Sequence, residues 1–105
     1  MTKPGIEKAL ERLGISEEIY NELFVDFLTM VREKTDLLRK AIEAGNLAEA
    51  TKLAHTIKGS AANLGVDDIA DVARIIESES GKGVLTDEIT RGLKNLIQCI
   101  NACSA

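Results

Sequence analysis

Apolar residues recur along the chain every three or four positions, with polar residues between them. This spacing gathers the apolar side chains on one face of an α-helix. It predicts five helices, whose apolar positions are Ile6, Leu10 and Leu13; Ile19, Leu23, Phe24, Phe27, Leu28, Val31, Leu38 and Ile42; Leu47, Ala50, Ala54, Ile57, Ala61 and Leu64; Ile69, Val72, Ala73 and Ile76; and Ile89, Leu93, Leu96, Ile97 and Ile100. The second helix loses its regular spacing around Lys34 and Thr35, where we expect a slight bend or a wetter patch.

Capping and stop residues predict where each helix begins and ends. The predicted helices run from Pro4 to Leu13, from the cap Ser16 to Ala44, from the cap Asn46 to Gly65, from the cap Asp67 to a loop at Ser78 to Gly83, and from the cap Thr86 through Cys103. Connections this short join antiparallel neighbours. The sequence therefore predicts an all-α, antiparallel up-down-up-down four-helix bundle with a short additional N-terminal helix, in a single domain that covers residues 1–105.

Composition limits the classes of function that this domain can have. A chain of 105 residues is too short for a kinase or ATPase catalytic domain, and its 45% hydrophobic and 29% charged residues are typical of a folded soluble protein. The net charge of −4 and the aromatic content of 3% argue against binding to nucleic acid. No apolar run approaches the roughly 20 residues of a membrane span, and the N-terminus lacks a signal peptide's apolar centre. We therefore expect a cytoplasmic protein, and a start at methionine without a linker favours a free-standing one.

The candidate chemistry lies in the segment AHTIKGSAANLG, which contains the only histidine of the chain. His55 falls away from the apolar face of its helix, so we expect it to meet solvent. Gly59 costs roughly 1 kcal/mol in a helix relative to alanine, and its missing side chain leaves the imidazole open, because helical side chains lean towards the N-terminus. Lys58 leans the same way and can place its ammonium beside an anion carried by the ring. A neutral imidazole offers one free nitrogen as a nucleophile, so this arrangement suits phosphoryl transfer.

This segment resembles the signature of histidine-containing phosphotransfer (HPt) domains, H-x-[LI]-K-G followed by small residues that end in Gly. The upstream run ALERLGISEEIYNELFVDFL and the downstream run DDIADVARIIESES are similar to that family in order and spacing. The resemblance implies that His55 is the phosphoacceptor at its outer ring nitrogen, that Lys58 steadies the phosphoryl group, and that Gly59 clears the approach of the donor. Ile57 stands where leucine is commoner. Some relatives place an Arg or Gln near the phosphate from the following helix; the resemblance does not carry that role over to Arg74.

The same resemblance implies the partner, a receiver domain of a response regulator or of a hybrid sensor histidine kinase. Its phospho-aspartate and its bound Mg²⁺ would complete the chemistry, while this chain would act as a monomeric phosphoryl carrier with no bound cofactor and no kinase activity. Counting along antiparallel helices places His55 midway along the bundle, on a face without a deep pocket. Its expected neighbours are residues near Asp36 and Leu37 and residues near Ile75 and Ile76. Such a site needs a partner to complete it, and Lys52 and Lys58 suit an acidic approach.

One other class of function stays open at this point, and a second is set aside. A helical adaptor could keep the fold and dock receiver domains without transferring phosphate. A metal-binding or haem-binding bundle lacks ligands, because Cys99 and Cys103 have no companion histidine near them in sequence. We expect these two cysteines to be reduced and partly buried. The Gly-Lys-Gly within the 78–83 loop lacks the rest of a phosphate-binding loop.

Overall fold

The computed structural model describes residues 6–103, and in this range every element of regular secondary structure is an α-helix. The helices are α1 (Ile6–Leu13), α2 (Glu17–Glu43), α3 (Leu47–Asn63), α4 (Asp67–Ser80) and α5 (Asp87–Cys103). Helices α2 to α5 pack in a ring, in which each contacts the next and α5 returns against α2. The predicted all-α bundle with a short N-terminal helix is confirmed, whereas the predicted start of the first helix at Pro4 lies outside the described residues.

Two predicted caps and two glycine turns set the limits of α2 and α3. The Ser16 hydroxyl accepts the backbone N–H of Ile19 at 3.2 Å, and the Asn46 side chain accepts that of Glu49 at 3.2 Å, so both caps are confirmed. Gly45 and Gly65 take φ values of 72°, in the left-handed region that glycine tolerates best. The chain therefore reverses direction at both ends of α3, which places α3 between α2 and α4.

The predicted cap of α4 is wrong. Val66, and not Asp67, occupies the cap position, and no side chain caps this helix end by a hydrogen bond. Val66 is buried in the core, so packing decides which residue takes this position, while the carboxylates of Asp67 and Asp68 still lie in the first turn, where the helix dipole favours them. The predicted loop also begins later than expected, because α4 continues to Ser80.

The core lies between the four long helices and contains most of the predicted apolar positions. The buried apolar residues are Ala9, Tyr20, Phe24, Phe27, Val31, Leu38, Ala41, Ile42, Leu47, Ala50, Leu53, Ala54, Ile57, Ala61, Leu64, Val66, Ile69, Ala73, Ile76, Ile89, Leu96 and Ile100. Four predicted members lie at the surface instead: Leu13, Ile19, Leu23 and Ile97 are 38%, 47%, 41% and 39% exposed. Their positions follow helical spacing but lie at the edge of the apolar face, beyond the reach of the neighbouring helix.

The N-terminal helix α1 covers the C-terminal end of α3. The guanidinium of Arg12 donates hydrogen bonds to the carbonyl oxygens of Ala62, at 2.8 Å, and of Asn63. The Tyr20 hydroxyl of α2 donates to the next carbonyl, that of Leu64. The last carbonyls of a helix have no partner within it, so these contacts satisfy groups that α3 cannot satisfy alone. They fix the end of the helix that carries His55.

Glycine allows α4 and α5 to approach each other closely. A Cβ atom added to Gly92 of α5 would lie 2.8 Å from Cγ1 of Ile76, a fully buried side chain of α4. Real Cβ atoms almost never come this close to another side chain. By contrast, a Cβ atom added to Gly59 of α3 would meet nothing within 4 Å. Gly92 is thus a packing glycine, and Gly59 is not.

These two glycines form a matched pair for a stability measurement. Both Gly92→Ala and Gly59→Ala gain helix propensity, by about 1 kcal/mol each, but only Gly92→Ala forces a methyl group against Ile76. We expect Gly92→Ala to be less stable than Gly59→Ala by about 1–3 kcal/mol, the usual cost of overpacking a core. Urea denaturation of the two variants measures this difference. Equal stability would show that α5 does not depend on a close approach at Gly92.

Candidate functional site

His55 lies on the outward face of α3, as predicted. Its side chain is 68% exposed, whereas Ala54 and Ile57 on the opposite face of the same helix are completely buried. The ring is therefore accessible to a large partner, without any movement of the fold.

One carboxylate from α4 holds both polar residues of the sequence motif. Oε2 of Glu77 lies 2.7 Å from Nδ1 of His55, and Oε1 of the same side chain lies 2.6 Å from Nζ of Lys58. The Glu77 side chain is only 23% exposed, and that of Lys58 is 32% exposed. Glu77 thus bridges His55 and Lys58 from the neighbouring helix, with one oxygen for each.

The charge of Glu77 determines which nitrogen of His55 carries the proton. The hydrogen bond from Lys58 holds the pKa of Glu77 below its usual range; partial burial opposes this effect, and the bond to His55 adds to it. An ionised carboxylate can only accept hydrogen bonds. In the neutral ring, Nδ1 must therefore be the protonated nitrogen that donates to Glu77, and Nε2 keeps its lone pair. Within the described residues, Nε2 has no hydrogen-bond partner.

A pair of hydroxyl groups fixes the alignment of α3 and α4 next to this bridge. The hydroxyl oxygens of Thr51 and Ser80 lie 2.9 Å apart, one turn from His55 and Glu77 respectively. The Ser80 hydroxyl, which is buried, also lies 2.6 Å from the carbonyl oxygen of Ile76. Thr51 precedes His55 by four residues on α3, whereas Ser80 follows Glu77 by three residues on α4, so the two helices run antiparallel. The hydroxyl pair therefore keeps Glu77 level with His55.

Gly59 leaves open space one turn after His55. Because nothing would lie within 4 Å of an added Cβ atom, no neighbouring helix packs against this position, and packing does not explain the glycine. Ala62, on the same side of α3, is also exposed. The surface beyond the imidazole is consequently smooth and free of large side chains.

An apolar groove runs beside this surface between α2 and α3. It has a volume of about 380 Å³ and is lined mainly by Leu13, Leu23, Phe27 and Met30, together with Ser60, Asn63 and Asp26. Leu13 and Leu23 are each more than a third exposed. We call this the α2–α3 groove. Ser60 and Asn63 belong to the two turns of α3 that follow His55.

The sequence did not single out Glu77. Counting across the turn at Gly65 predicted that residues near Ile75 and Ile76 lie beside His55, and this is confirmed to within one residue. The sequence does contain one sign of this contact, because the residue that follows Ile76 is acidic and is expected to lie opposite the only histidine. The exposed side chain of Arg74 lies 3.8 Å from Asp71 on its own helix and makes no contact with His55 among the ion pairs of the described residues.

The two cysteines of α5 lie outside the site. Cys99 and Cys103 are free and partly buried, as predicted, and burial raises the pKa of both thiols, with nearby Asp68 adding to the rise. Residues 6–103 contain no group of three or more His, Cys, Asp or Glu side chains placed to hold a metal ion. No helix in this range combines the length and the apolar character that crossing a membrane requires.

Comparison with known proteins gives one match. The family model described as Hpt domain matches residues 22–102, which is more than half of the chain and includes His55, Lys58, Gly59 and Glu77. Neither the curated proteins nor the solved structures contain a significant match.

The bridge by Glu77 predicts the tautomer of the unmodified histidine. At a pH where the ring is neutral, we expect the proton on Nδ1, because the Glu77 carboxylate accepts it there. Glu77→Ala removes this acceptor, so the proton should move in part to Nε2. Long-range ¹H–¹⁵N correlation spectra of the imidazole distinguish the two forms. Glu79→Ala is the matched control, since Glu79 lies on the same helix but binds Lys82. A predominant Nε2–H form in the unmutated protein would contradict this assignment.

Proposed function

The chain belongs to the Hpt domain family, the histidine phosphotransfer domains of phosphorelays, and we propose that His55 carries the phosphoryl group reversibly between the aspartates of receiver domains. One observation supports this assignment above the others. The exposed imidazole is held at Nδ1 by an ionised carboxylate, which leaves Nε2 as a nucleophile directed away from that contact. A histidine with only a structural role would not need this arrangement on an open face.

The proposed transfer needs no proton to leave the ring. The lone pair of Nε2 attacks phosphorus, the P–O bond to the donor aspartate breaks, and the aspartate departs as a carboxylate. The proton stays on Nδ1, so the phosphorylated ring gains a positive charge, which the Glu77 carboxylate at 2.7 Å offsets. The reverse step passes the group to the carboxylate of an acceptor aspartate. Glu77 thus orients the nucleophile and stabilises the ring after it has reacted.

Lys58 is proposed to steady the oxygens of the moving phosphoryl group. In the unmodified protein its ammonium binds Oε1 of Glu77 at 2.6 Å, which holds it within the same cluster as His55. Charge on a phosphoryl group in transfer spreads over its equatorial oxygens, and a nearby cation lowers the barrier. The ammonium has three donors, so it can contact a phosphoryl oxygen while still bound to Glu77.

The partner must supply what this open face lacks. A site without walls cannot exclude water or hold a small substrate, so we propose that a receiver domain of a response regulator or a hybrid sensor kinase covers His55 and brings its own Mg²⁺ and aspartate. The α2–α3 groove offers apolar contact area for such a partner, nearer the C-terminal end of α3. Exposed Lys52, one turn before His55, offers positive charge towards an acidic partner. Gly59 keeps the approach clear.

Incubation with a phosphorylated receiver domain and Mg²⁺ tests this proposal. Mass spectrometry should find an acid-labile, base-stable phosphate on His55, and none on the His55→Gln variant.

The Lys58→Ala variant should still accept phosphate, but the rate of transfer should fall roughly 100-fold. This is the typical loss when one preorganised donor is removed from a charged transition state.

The same experiment distinguishes transfer from a non-transferring adaptor. Circular dichroism must show that His55→Gln keeps its helices, as expected for an exposed side chain. If the unmutated chain binds several phosphorylated receivers and takes label from none, the adaptor function replaces the carrier function. Full labelling of His55→Gln would instead place the phosphate on another residue.

The Gly59→Leu variant tests whether Gly59 is needed for access of the partner to His55 or for the stability of the fold. Because the position is open, leucine should fit without strain and stabilise the helix by about 1 kcal/mol. Its side chain would lean over the imidazole and displace the incoming aspartate, which should slow transfer by on the order of 100-fold, since a misplacement of about 1 Å can cost this much. Thermal denaturation and transfer rates measure the two effects. A stabilised variant with an unchanged transfer rate would remove the proposed role of Gly59.

A further inference from the structure

The charges of the chain are distributed unevenly along the bundle. Neighbouring helices run antiparallel, so α1, the first half of α2 and the last turns of α3 lie at one end, together with the start of α4 and the end of α5. This end consists of residues 6–29, 59–73 and 95–103, and it carries nine carboxylates but only two basic side chains. The other described residues, 30–58 and 74–94, carry eight carboxylates and ten basic side chains. The net negative charge of the chain is therefore concentrated at one end.

The α2–α3 groove lies at this acidic end. Leu13 and Leu23 line it and are 38% and 41% exposed. Ile19, one turn before Leu23 on the same side of α2, is 47% exposed. Exposed apolar side chains that are grouped, and not scattered singly, are typical of a surface that another protein covers. The groove thus offers apolar contact area in a region of negative charge.

Two carboxylates of α2 border the groove. Asp26 is one of its lining residues, and Glu22 lies one turn earlier on the same side of the helix. Neither carboxylate makes an ion pair within residues 6–103, whereas Asp36, further along α2, is bound by Arg39 and Lys40. The charges of Glu22 and Asp26 are therefore available to a partner that docks in the groove.

The basic residue nearest to the groove does not offset these charges. The guanidinium of Arg12 binds the carbonyl oxygens of Ala62 and Asn63, which carry the partial negative charge of the C-terminal end of α3. Salt screens exposed charges beyond about 8 Å at physiological ionic strength. Glu22 and Asp26 thus act on groups that lie in or beside the groove, and only weakly on groups further away.

The surface around His55 differs in charge from the groove. Exposed Lys52 lies one turn before the histidine, and Glu77 is paired there with Lys58. Asn63, which lines the groove, follows His55 by eight residues, or about 12 Å along α3. This separation exceeds the screening length, so a partner that covers both places meets two independent electrostatic environments. It meets positive charge before the imidazole and negative charge at the groove.

We propose that the α2–α3 groove selects receiver domains that carry Lys or Arg side chains beside an apolar patch, at a distance of about 12 Å from their phosphorylated aspartate. Leu13 and Leu23 supply the apolar contacts, and Glu22 and Asp26 attract the basic side chains. Receivers with acidic side chains at that place are rejected, because like charges brought together across an interface are unfavourable. This inference rests on the proposed function for the class of partner, whereas the charge of the partner follows from the groove itself.

Charge reversal at the groove tests the proposal with the receiver domains of the labelling experiment. Glu22→Lys and Asp26→Lys should each weaken binding of the unphosphorylated receiver by about threefold, and the double variant by about tenfold, because an attraction becomes a repulsion. Calorimetric titration measures these affinities. The KM of phosphotransfer should rise by the same factors while kcat stays unchanged, since neither residue contacts His55. Added salt should weaken binding of the unmutated chain more than that of the double variant.

Asp71→Lys is the matched control. It reverses the same charge at the same end of the bundle, but on α4, which does not line the groove. Its affinity for the receiver should be unchanged. Equal losses in Asp71→Lys and Asp26→Lys, or an unchanged affinity in the double variant, would overturn the proposal.

The two proposals fail in different ways. Labelling of His55 with an unchanged KM in the double variant would leave phosphotransfer in place and remove the selection of partners by the groove. Receiver binding that depends on Glu22 and Asp26, without label on His55, would retain the groove as a docking surface and replace the carrier function by that of an adaptor. Circular dichroism should show unchanged helix content in every variant, because all the substituted side chains are exposed.

Discussion

The site depends on one carboxylate that contacts two other side chains at once. Glu77 accepts the Nδ1 proton of His55 with one oxygen and the ammonium of Lys58 with the other. Each contact supports the other, because Lys58 keeps the carboxylate ionised and an ionised carboxylate can only accept the proton of the ring. Without Glu77, the exposed imidazole would rotate freely and either nitrogen could carry the proton. A contact between two helices thus determines which nitrogen of a surface histidine carries the proton.

The rest of the bundle holds this carboxylate in place. Gly65 reverses the chain so that α4 lies along α3, and the Thr51–Ser80 hydroxyl pair sets their alignment one turn away. On its other side, α4 is held against α5 where Gly92 admits the side chain of Ile76, the residue next to Glu77. The segment that carries Glu77 is therefore fixed from both neighbouring helices. A rigid support of this kind orients a functional side chain better than a loop can.

The sequence predicted the fold well because helical periodicity and caps are local signals. Ser16 and Asn46 cap their helices as predicted, and the buried face of α3 follows its apolar spacing without exception. Prediction from the sequence failed where tertiary packing decides which residue caps a helix or which side chain is buried. Val66 takes the cap position of α4 because its side chain enters the core, and Ile97 stays exposed because α2 and α5 leave a gap beside it. Glu77 was missed for a similar reason: its partners lie on another helix, and a helical acidic residue alone carries no sign of its neighbours.

If phosphate passes through His55 as proposed, the outward position of this residue determines the order of events in the relay. A single imidazole that projects from one face of α3 can be covered by only one domain at a time, because a donor and an acceptor would occupy the same surface. Occupancy is thus mutually exclusive, and each transfer must be followed by dissociation before the next partner binds. The lifetime of the complexes then limits the flow of phosphate, so weak and short-lived association suits this domain better than tight binding.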